Sequence, residues 1–404
     1  MQFNFKNLNF NFLKNKFVYP ITLSICFIAI FGFGIWIGSE KVAYCAQQPN
    51  TINFSLFWDA YNELKKDFVN PEKIDNQKIL YGAIEGMTKS LEDPYTEFFS
   101  PIEAKKFQDD LAGSFEGIGA EIGIKNDILT IIAPLKNSPA EKSGLKSGDA
   151  ITKINGDSTN GMSTNDAVNI IRGKRGTAVT LTIYREEWED TKDISITRDT
   201  IVIPAMDWKI IENDIAYIQI YQFGGSLSSD FMKASKEILN SNAKKIILDL
   251  RNNPGGYLET AQDLAGYFIK PDQIVVIENF GDKKEPEIYK TDGDYSLGKY
   301  PIVVLINEGS ASASEILAGA LRDNRNIKLI GEKSYGKGSV QEVVDLRGGS
   351  FIKITIAEWL TPNKNSISEV GLEPDVKIEI TEEDAKDKKD TQLQKALEII
   401  KDLK

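Results

Sequence analysis

Residues 301–321 read PIVVLINEGSASASEILAGAL, and the fold turns on this stretch. Its first part, residues 302–306, is a short β-branched apolar run of the kind that forms a buried strand. The run breaks at Asn307-Glu308-Gly309. It resumes as Ser/Ala-rich sequence with Ile316, Leu317, Ala320 and Leu321 at helical spacing. Strand, tight turn and helix together lift a hydroxyl to the mouth of a sheet, beside the positive end of the helix. Ser310, Ser312 and Ser314 all sit at that junction. Two readings stand side by side, because Ser312-Ala313-Ser314-Glu315 is also a good S-x-x-E capping box: a serine here is either a nucleophile or a cap.

Composition narrows the chemistry. The chain contains no histidine, which excludes Ser-His-Asp and Cys-His catalysis and histidine-ligated metals. Both cysteines, Cys26 and Cys45, lie near the N-terminus. The body therefore has no thiol nucleophile, thiolate metal site or internal disulfide, and no metal or other cofactor is expected. If a serine attacks a carbonyl, its base is a lysine or a carboxylate. A lysine serves when burial disfavours its ammonium form. The 404 residues suggest two or three domains, and their formal net charge of −11 repels nucleic acid rather than seeking it.

Working outward toward the N-terminus, residues 17–38 carry no charge and are long enough to span a bilayer. Lys6, Lys14 and Lys16 precede them and the first acid is Glu40. This predicts a cytoplasmic residues 1–16, a single-pass transmembrane anchor at 17–38 rather than a cleaved signal, and a linker at 39–52. The body is then extracytoplasmic, periplasmic or extracellular. Residues 53–111 are helical in pattern, with one apolar stripe at Phe57, Tyr61, Leu64 and Phe68 and another at Ile79, Ile84, Met87 and Leu91. An aromatic-rich turn, DPYTEFF at residues 93–99, follows the second stripe. Such stripes ask for a partner, either a second copy or another domain that they cover as a lid, and a homodimer is expected.

Residues 112–198 change character. Gly117-Ile118-Gly119 leads into strand-like runs at 120–124 and 128–132. A strand at 151–154, a helix carrying Ala167, Ile170 and Ile171, and a strand at 179–184 follow. The whole run resembles a PDZ domain. That resemblance implies that the backbone N–H groups of Gly117, Ile118 and Gly119 form a nest for a peptide's C-terminal carboxylate, the peptide adding as a strand. A dinucleotide fingerprint does not fit, since the third glycine, Gly123, comes one place late and a strand follows.

Residues 199–386 read as α/β. A buried strand at 245–250 runs into Arg251-Asn252-Asn253-Pro254-Gly255-Gly256, which suits either an oxyanion hole or a tight turn. Gly331 to Lys337 fits G-x-x-x-x-G-K, but Gly338 stands where a hydroxyl is required and the continuation reads as a strand. No nucleotide is expected there. Residues 387–404 form a C-terminal helix with Leu393, Ala396, Leu397 and Ile400 on one face.

Together the segments DLRNNPGG (249–256), GSASASE (309–315) and YGKGSVQ (335–341) resemble the carboxyl-terminal processing proteases, serine peptidases with a PDZ domain. Asp93-Pro94-Tyr95 early and GLEPD (371–375) late belong to the same resemblance. It implies an α/β protease core with a parallel-rich, ClpP/crotonase-like sheet and an inserted PDZ domain. It implies Ser312 as nucleophile, Lys337 as base and Gln341 as the residue orienting the lysine. The oxyanion would rest on the backbone N–H groups of Ala313 and of Gly255 or Gly256, with Asp323 as an accessory residue and Arg172 as a gate between PDZ domain and core. Asn363-Lys364-Asn365 departs from the pattern where relatives often carry a glycine. The function implied is a membrane-anchored serine endopeptidase that binds free apolar C-terminal tails of protein or peptide substrates and cuts them. The alternative is a catalytically silent, membrane-tethered PDZ scaffold.

Overall fold

The computed structural model describes residues 52–125, 128–387 and 389–403. The apolar segment 17–38 and its flanks therefore lie outside the described residues. Among those described, no helix is long and apolar enough to cross a membrane. The chain divides into two compact units, the first ending at Leu80 and the second starting at Tyr81.

The first unit holds α1 (Ser55–Asp67) and the start of α2 (Asn76–Lys89). The Tyr61 hydroxyl donates to Asn76 Oδ1 at 2.8 Å and joins the two. Lys65 and Lys66 in the last turn of α1 complement the negative end of the helix. Leu56, Trp58 and Leu64 of α1 are exposed.

The second unit opens with a departure from the helical pattern expected over 53–111. Glu97–Phe99 is a strand, β1, ahead of α3 (Pro101–Leu111), and it pairs antiparallel with the strand Phe351–Leu360. Its aromatic residues cause this: Phe99 stacks on Phe351 at 4.5 Å and Phe98 is buried, a gain that a polar turn would forgo.

Next come β2 (Ser114–Gly117), β3 (Ala120–Lys125), β4 (Ile128–Pro134), α4 (Pro139–Lys142), β5 (Ala150–Ile154), β6 (Asp157–Ser158), α5 (Thr164–Ile171), β7 (Ala178–Tyr184), β8 (Lys192–Thr197) and β9 (Asp199–Val202). Strands pair in the order β3-β4-β5-β7-β8, with β6 on β5, around a core that includes Ile131, Ile151, Ala167, Leu181 and Ile183. β2 pairs with β9, so the chain enters and leaves this body through one two-stranded ribbon. The Arg198 guanidinium donates to the Ile170 and Ile171 carbonyls, closing the C-terminal end of α5 beside that ribbon.

The α/β body comprises β10 (Met206–Ile211), β11 (Ile215–Ile220), α6 (Leu227–Leu239), β12 (Lys245–Asp249), α7 (Leu258–Phe268), β13 (Ile274–Asn279), β14 (Glu287–Lys290), β15 (Ile302–Ile306), α8 (Ala313–Arg325), β16 (Lys328–Gly331), β17 (Ser339–Asp345), β18 (Phe351–Leu360), β19 (Val376–Lys377), α9 (Glu382–Lys386) and α10 (Thr391–Asp402). Its main sheet runs β10-β11-β12-β15-β16-β19, parallel throughout except for β10 at the edge. A strand buried on both faces carries apolar residues at every position, and β15 does so. Ile302, Val304 and Ile306 face α7 and α8, while Val303 and Leu305 face Ala396 and Ile400 of α10. α10 is also held at its start, where Asp390 accepts from both terminal nitrogens of Arg251 at 2.8 Å. A second sheet, β1-β18-β13-β14, carries β17 on β18.

Candidate active site

The parallel strands end together, and the turns leaving β12 and β15 meet there. Ser310, fully buried, donates through Oγ to the Leu250 carbonyl at 2.8 Å, and Ser314, equally buried, to the Asn253 carbonyl at 3.0 Å. Both are spent in tying the two turns together. Ser312 differs from them: it is half-buried, with φ +54° and ψ −117°. A non-glycine residue pays about 1–3 kcal/mol for such a conformation, which is that of a serine held on a strained strand-to-helix turn. Gly255 lies against it. A Cβ at Gly255 would sit 2.6 Å from the Ala311 carbonyl oxygen and 2.8 Å from Ser312 Cβ, so only glycine fits.

Asn253 shapes the opposing turn. Its side chain donates to the Ile220 carbonyl at 2.8 Å and accepts from the Gly255 N–H at 2.9 Å. The Gly255 N–H is thus engaged and is not the donor that the expectation of Gly255 or Gly256 required. Gly256 pairs alongside Phe223 without using its own N–H. Among the described residues, the N–H groups of Gly256 and Ala313 have no hydrogen-bond partner.

One carboxylate joins the serine to the lysine. Glu315, fully buried in the first turn of α8, accepts through Oε2 from the N–H of Ser312 at 2.9 Å and of Lys337 at 3.1 Å. Oε1 accepts from the Gly336 N–H at 2.8 Å and the Ser334 hydroxyl at 2.6 Å. Burial pushes this carboxyl above its ordinary value, against the pull of those donors. Read locally, Glu315 is only the glutamate of a capping box. Three of its four donors come from the loop between β16 and β17, which no local pattern reveals.

Lys337 ends that loop, and a strand follows it, where a nucleotide-binding loop would need a helix. Its side chain lines a cleft of about 620 Å³ with Tyr95, Asn252, Pro254, Glu308, Gly309, Ala311 and Tyr335. Burial, and then Lys353, hold its amine below the ordinary lysine value, against Glu97 and Glu315. Among the described residues no hydrogen bond links the Lys337 amine to the Ser312 hydroxyl, a contact often long in unliganded enzymes. Gln341 is not brought to the lysine. Between the partners of Val340 and Gln341, β18 carries one extra residue, Ile356, a bulge that kinks the ladder there, and the Gln341 amide donates to the carbonyl and hydroxyl of Ser339 at 2.9 and 2.7 Å. Asp323 accepts from the Asn363 N–H at 2.9 Å and so anchors the loop carrying Asn363-Lys364-Asn365.

The Gly117-Ile118-Gly119 turn lies at the root of the inserted body. Gly119 has φ +72°, and a Cβ there would meet Ser138 Cβ at 2.6 Å. Arg172, just after α5, lies over the Phe115 ring at 4.4 Å and 3.5 Å from Asp110. The Asp110 carbonyl accepts from Gln222 of the α/β body at 3.0 Å. Arg172 therefore reaches the core through α3 rather than by direct contact.

Comparison with known proteins places the chain in a family. Peptidase family S41 matches residues 214–378, a PDZ domain matches 130–185, and the N-terminal domain of the activating protease CtpB matches 39–101. The carboxy-terminal processing proteases CtpA and CtpB of Bacillus subtilis are each 41% identical to this chain, over 80% and 79% of its length. The chain spans 68% and 66% of theirs, about two thirds. A protein described as an S41 protease from Bacteroides fragilis superposes with a TM-score of 0.53 at 17% identity, covering 89% of this chain and all of that one. It shares the fold.

Proposed function

The chain belongs to the carboxy-terminal processing serine proteases of peptidase family S41, and from that premise we propose a membrane-anchored endopeptidase that cuts exported proteins near their C-termini by a Ser-Lys mechanism. We read its parallel sheet as ClpP/crotonase-like. The observation that carries the mechanism is the Glu315 oxygen shared by the main chains of Ser312 and Lys337. It ties nucleophile and base to one atom although they lie on different elements.

In this reading neutral Lys337 takes the proton from Ser312 Oγ as that oxygen attacks the scissile carbonyl, forming an acyl-enzyme. The lysine returns the proton to the leaving amine, then activates the water that releases the acyl group. The N–H groups of Ala313 and Gly256 stabilise the oxyanion, each worth about 3 kcal/mol. Gln341 would join the lysine only after its amide gives up its bonds to Ser339.

A substrate tail with apolar end residues would add to β3, an open edge strand, with its carboxylate at Gly117, Ile118 and Gly119. Arg172, Asp110 and Gln222 support a route by which that binding gates the site. The segment 17–38 would tether the body, and the exposed apolar face of α1 supports a homodimer.

The test is a quenched-fluorescence peptide with an apolar C-terminus, offered as free acid and as amide. Wild type should cleave the free acid and turn over the amide far more slowly. Lys337→Arg should bind it without cutting. Full activity in that variant would end the lysine-base reading, equal rates for acid and amide would end carboxylate recognition, and an inert wild type would favour a binding scaffold.

A further inference from the structure

Tyr95 belongs to no element of the mechanism above, yet its half-buried ring stands 5.6 Å from the Lys337 ammonium nitrogen and shares the cleft with it. Asp93 accepts from the Tyr95 N–H at 3.0 Å and from the Thr96 hydroxyl at 2.6 Å. The Thr96 hydroxyl in turn accepts from the N–H of Thr355 on β18 at 3.1 Å, and Lys353 bonds Glu97 at 2.6 Å. β18 also pairs with β17, Thr355 standing opposite Gln341. The strand that follows the lysine and the turn that presents the tyrosine are therefore fastened to the same strand.

We propose that Tyr95 is a positioning residue that shields the base: its ring closes one side of the Lys337 amine against water and thereby sets the pH at which the lysine can accept a proton. This rests on the reading of Lys337 as base. The titratable groups around the amine and its cleft are Lys353 of β18, Glu97 of β1, Glu315 of α8, Glu308 of the turn after β15 and Tyr335 of the adjoining loop. Lys353 disfavours the ammonium and Glu97 and Glu315 favour it, so their effects oppose one another. Loss of water contact comes first among the causes that hold the amine low; the ring covers the amine from 5.6 Å, and in this proposal that cover outweighs the weak attraction of the ring face for the ammonium. The phenol itself is pushed above its ordinary value by burial and by Tyr335, Glu315 and Asp93. It stays neutral and adds no charge to the site.

The experiment is the pH profile of kcat/KM for the full chain on the quenched peptide, in wild type, Tyr95→Phe and Tyr95→Ala. A base must be unprotonated, so activity rises with pH through the lysine value. Opening the site to water moves that value up, and the limb should shift by roughly one pH unit in Tyr95→Ala. That is a roughly tenfold loss below the limb, recovered above it. Tyr95→Phe keeps the ring and should keep the limb in place. A limb that stays put in Tyr95→Ala overturns the proposal, as does a Tyr95→Phe limb displaced as far as that of the alanine variant.

A second measurement needs no turnover. In a Ser312→Ala background, the pH midpoint for reductive methylation of Lys337, read by mass spectrometry, should rise in Tyr95→Ala and hold in Tyr95→Leu, which keeps apolar cover if alanine fails to fold. Equal midpoints in all three would refute shielding. Activity surviving Lys337→Ala would instead end the base reading, while the methylation midpoint still decides whether Tyr95 shields the amine.

Discussion

Replacing Glu315 by glutamine changes the shape of the site hardly at all and its hydrogen bonding decisively. The four donors on the carboxylate are three fixed N–H groups and one rotatable hydroxyl. An amide must present an NH2 on one side. On the Oε2 side it would confront the N–H groups of both Ser312 and Lys337. On the Oε1 side it confronts only that of Gly336, while Ser334 turns to accept. The second placement strands one buried donor, at about 1–3 kcal/mol, and lowers each remaining bond from charged to neutral strength, about 1 kcal/mol apiece. Relief from burying a charge offsets part of this. A net loss of about 3 kcal/mol is expected, seen as a melting temperature lower by several degrees. The kinetic loss should exceed it, because a displacement of about 1 Å between reacting groups costs on the order of a hundredfold. Measured on the quenched peptide, kcat should fall at least that far while KM, which the proposed reading assigns to binding at Gly117-Ile118-Gly119, moves little. A glutamine variant with kcat within threefold of wild type would refute the view that this carboxylate aligns nucleophile and base.

Lys337→Met should abolish cleavage yet raise the melting temperature near neutral pH. The native state holds the lysine low, so it loses stability as pH falls from the ordinary lysine value to that lowered one, and below it the penalty is constant. Calorimetry should show the gap between variant and wild type closing as pH rises from there toward the ordinary value of about 10.5. Ser312→Gly relieves the φ of +54° and should be more stable than Ser312→Ala by roughly 1 kcal/mol, after the entropic cost of glycine; equal melting temperatures would show that the turn is unstrained. Arg251→Met leaves Asp249, fully buried, and Asp390 without their cation. It should cost about 3–5 kcal/mol and free α10, so amide exchange at residues 391–402 that matched wild type would contradict the coupling.

Much of this was written in local pattern. The run at 302–306 is a strand buried on both faces, Ala396 and Ile400 of the C-terminal helix pack from one face, and the lack of histidine leaves lysine or a carboxylate as the base, with Ser312 and Lys337 supplied by the resemblance. What escaped the sequence depends on partners distant in the chain. Glu97–Phe99 is a strand because Phe351 waits for it some 250 residues later. The resemblance implies Gln341 as the residue orienting the lysine, whereas its amide bonds Ser339 beside an extra residue of β18 that no sequence pattern reports. Of Gly255 and Gly256, only the side chain of Asn253 decides which N–H is left unengaged. Glu315 and Tyr95 were both in view, one as a cap and one as part of a motif, but their partners lie across the fold.

The placement of hydrogen bonds around the lysine follows from the chemistry demanded of it. Histidine titrates near neutrality unaided and can be steered by a carboxylate on its far nitrogen. A lysine has a single nitrogen. A carboxylate bonded to that nitrogen would orient it but would also stabilise the ammonium and destroy the base. The alternative is to fix the chain on either side of it and let walls do the aiming. Here the strong bonds end on the backbone at Gly336 and Lys337, from a carboxylate buried behind the loop, and Tyr95, Tyr335 and Glu308 line the cleft side. Glu315, engaged by four donors, still favours the ammonium, and burial of the amine outweighs it. Adding a carboxylate to the cleft wall, as in Tyr335→Glu, therefore should raise the lysine value. The limb of kcat/KM should move to higher pH, whereas Tyr335→Gln, which adds no charge, should leave it in place. If both variants share the wild-type limb, the electrostatics of this cleft do not govern its base.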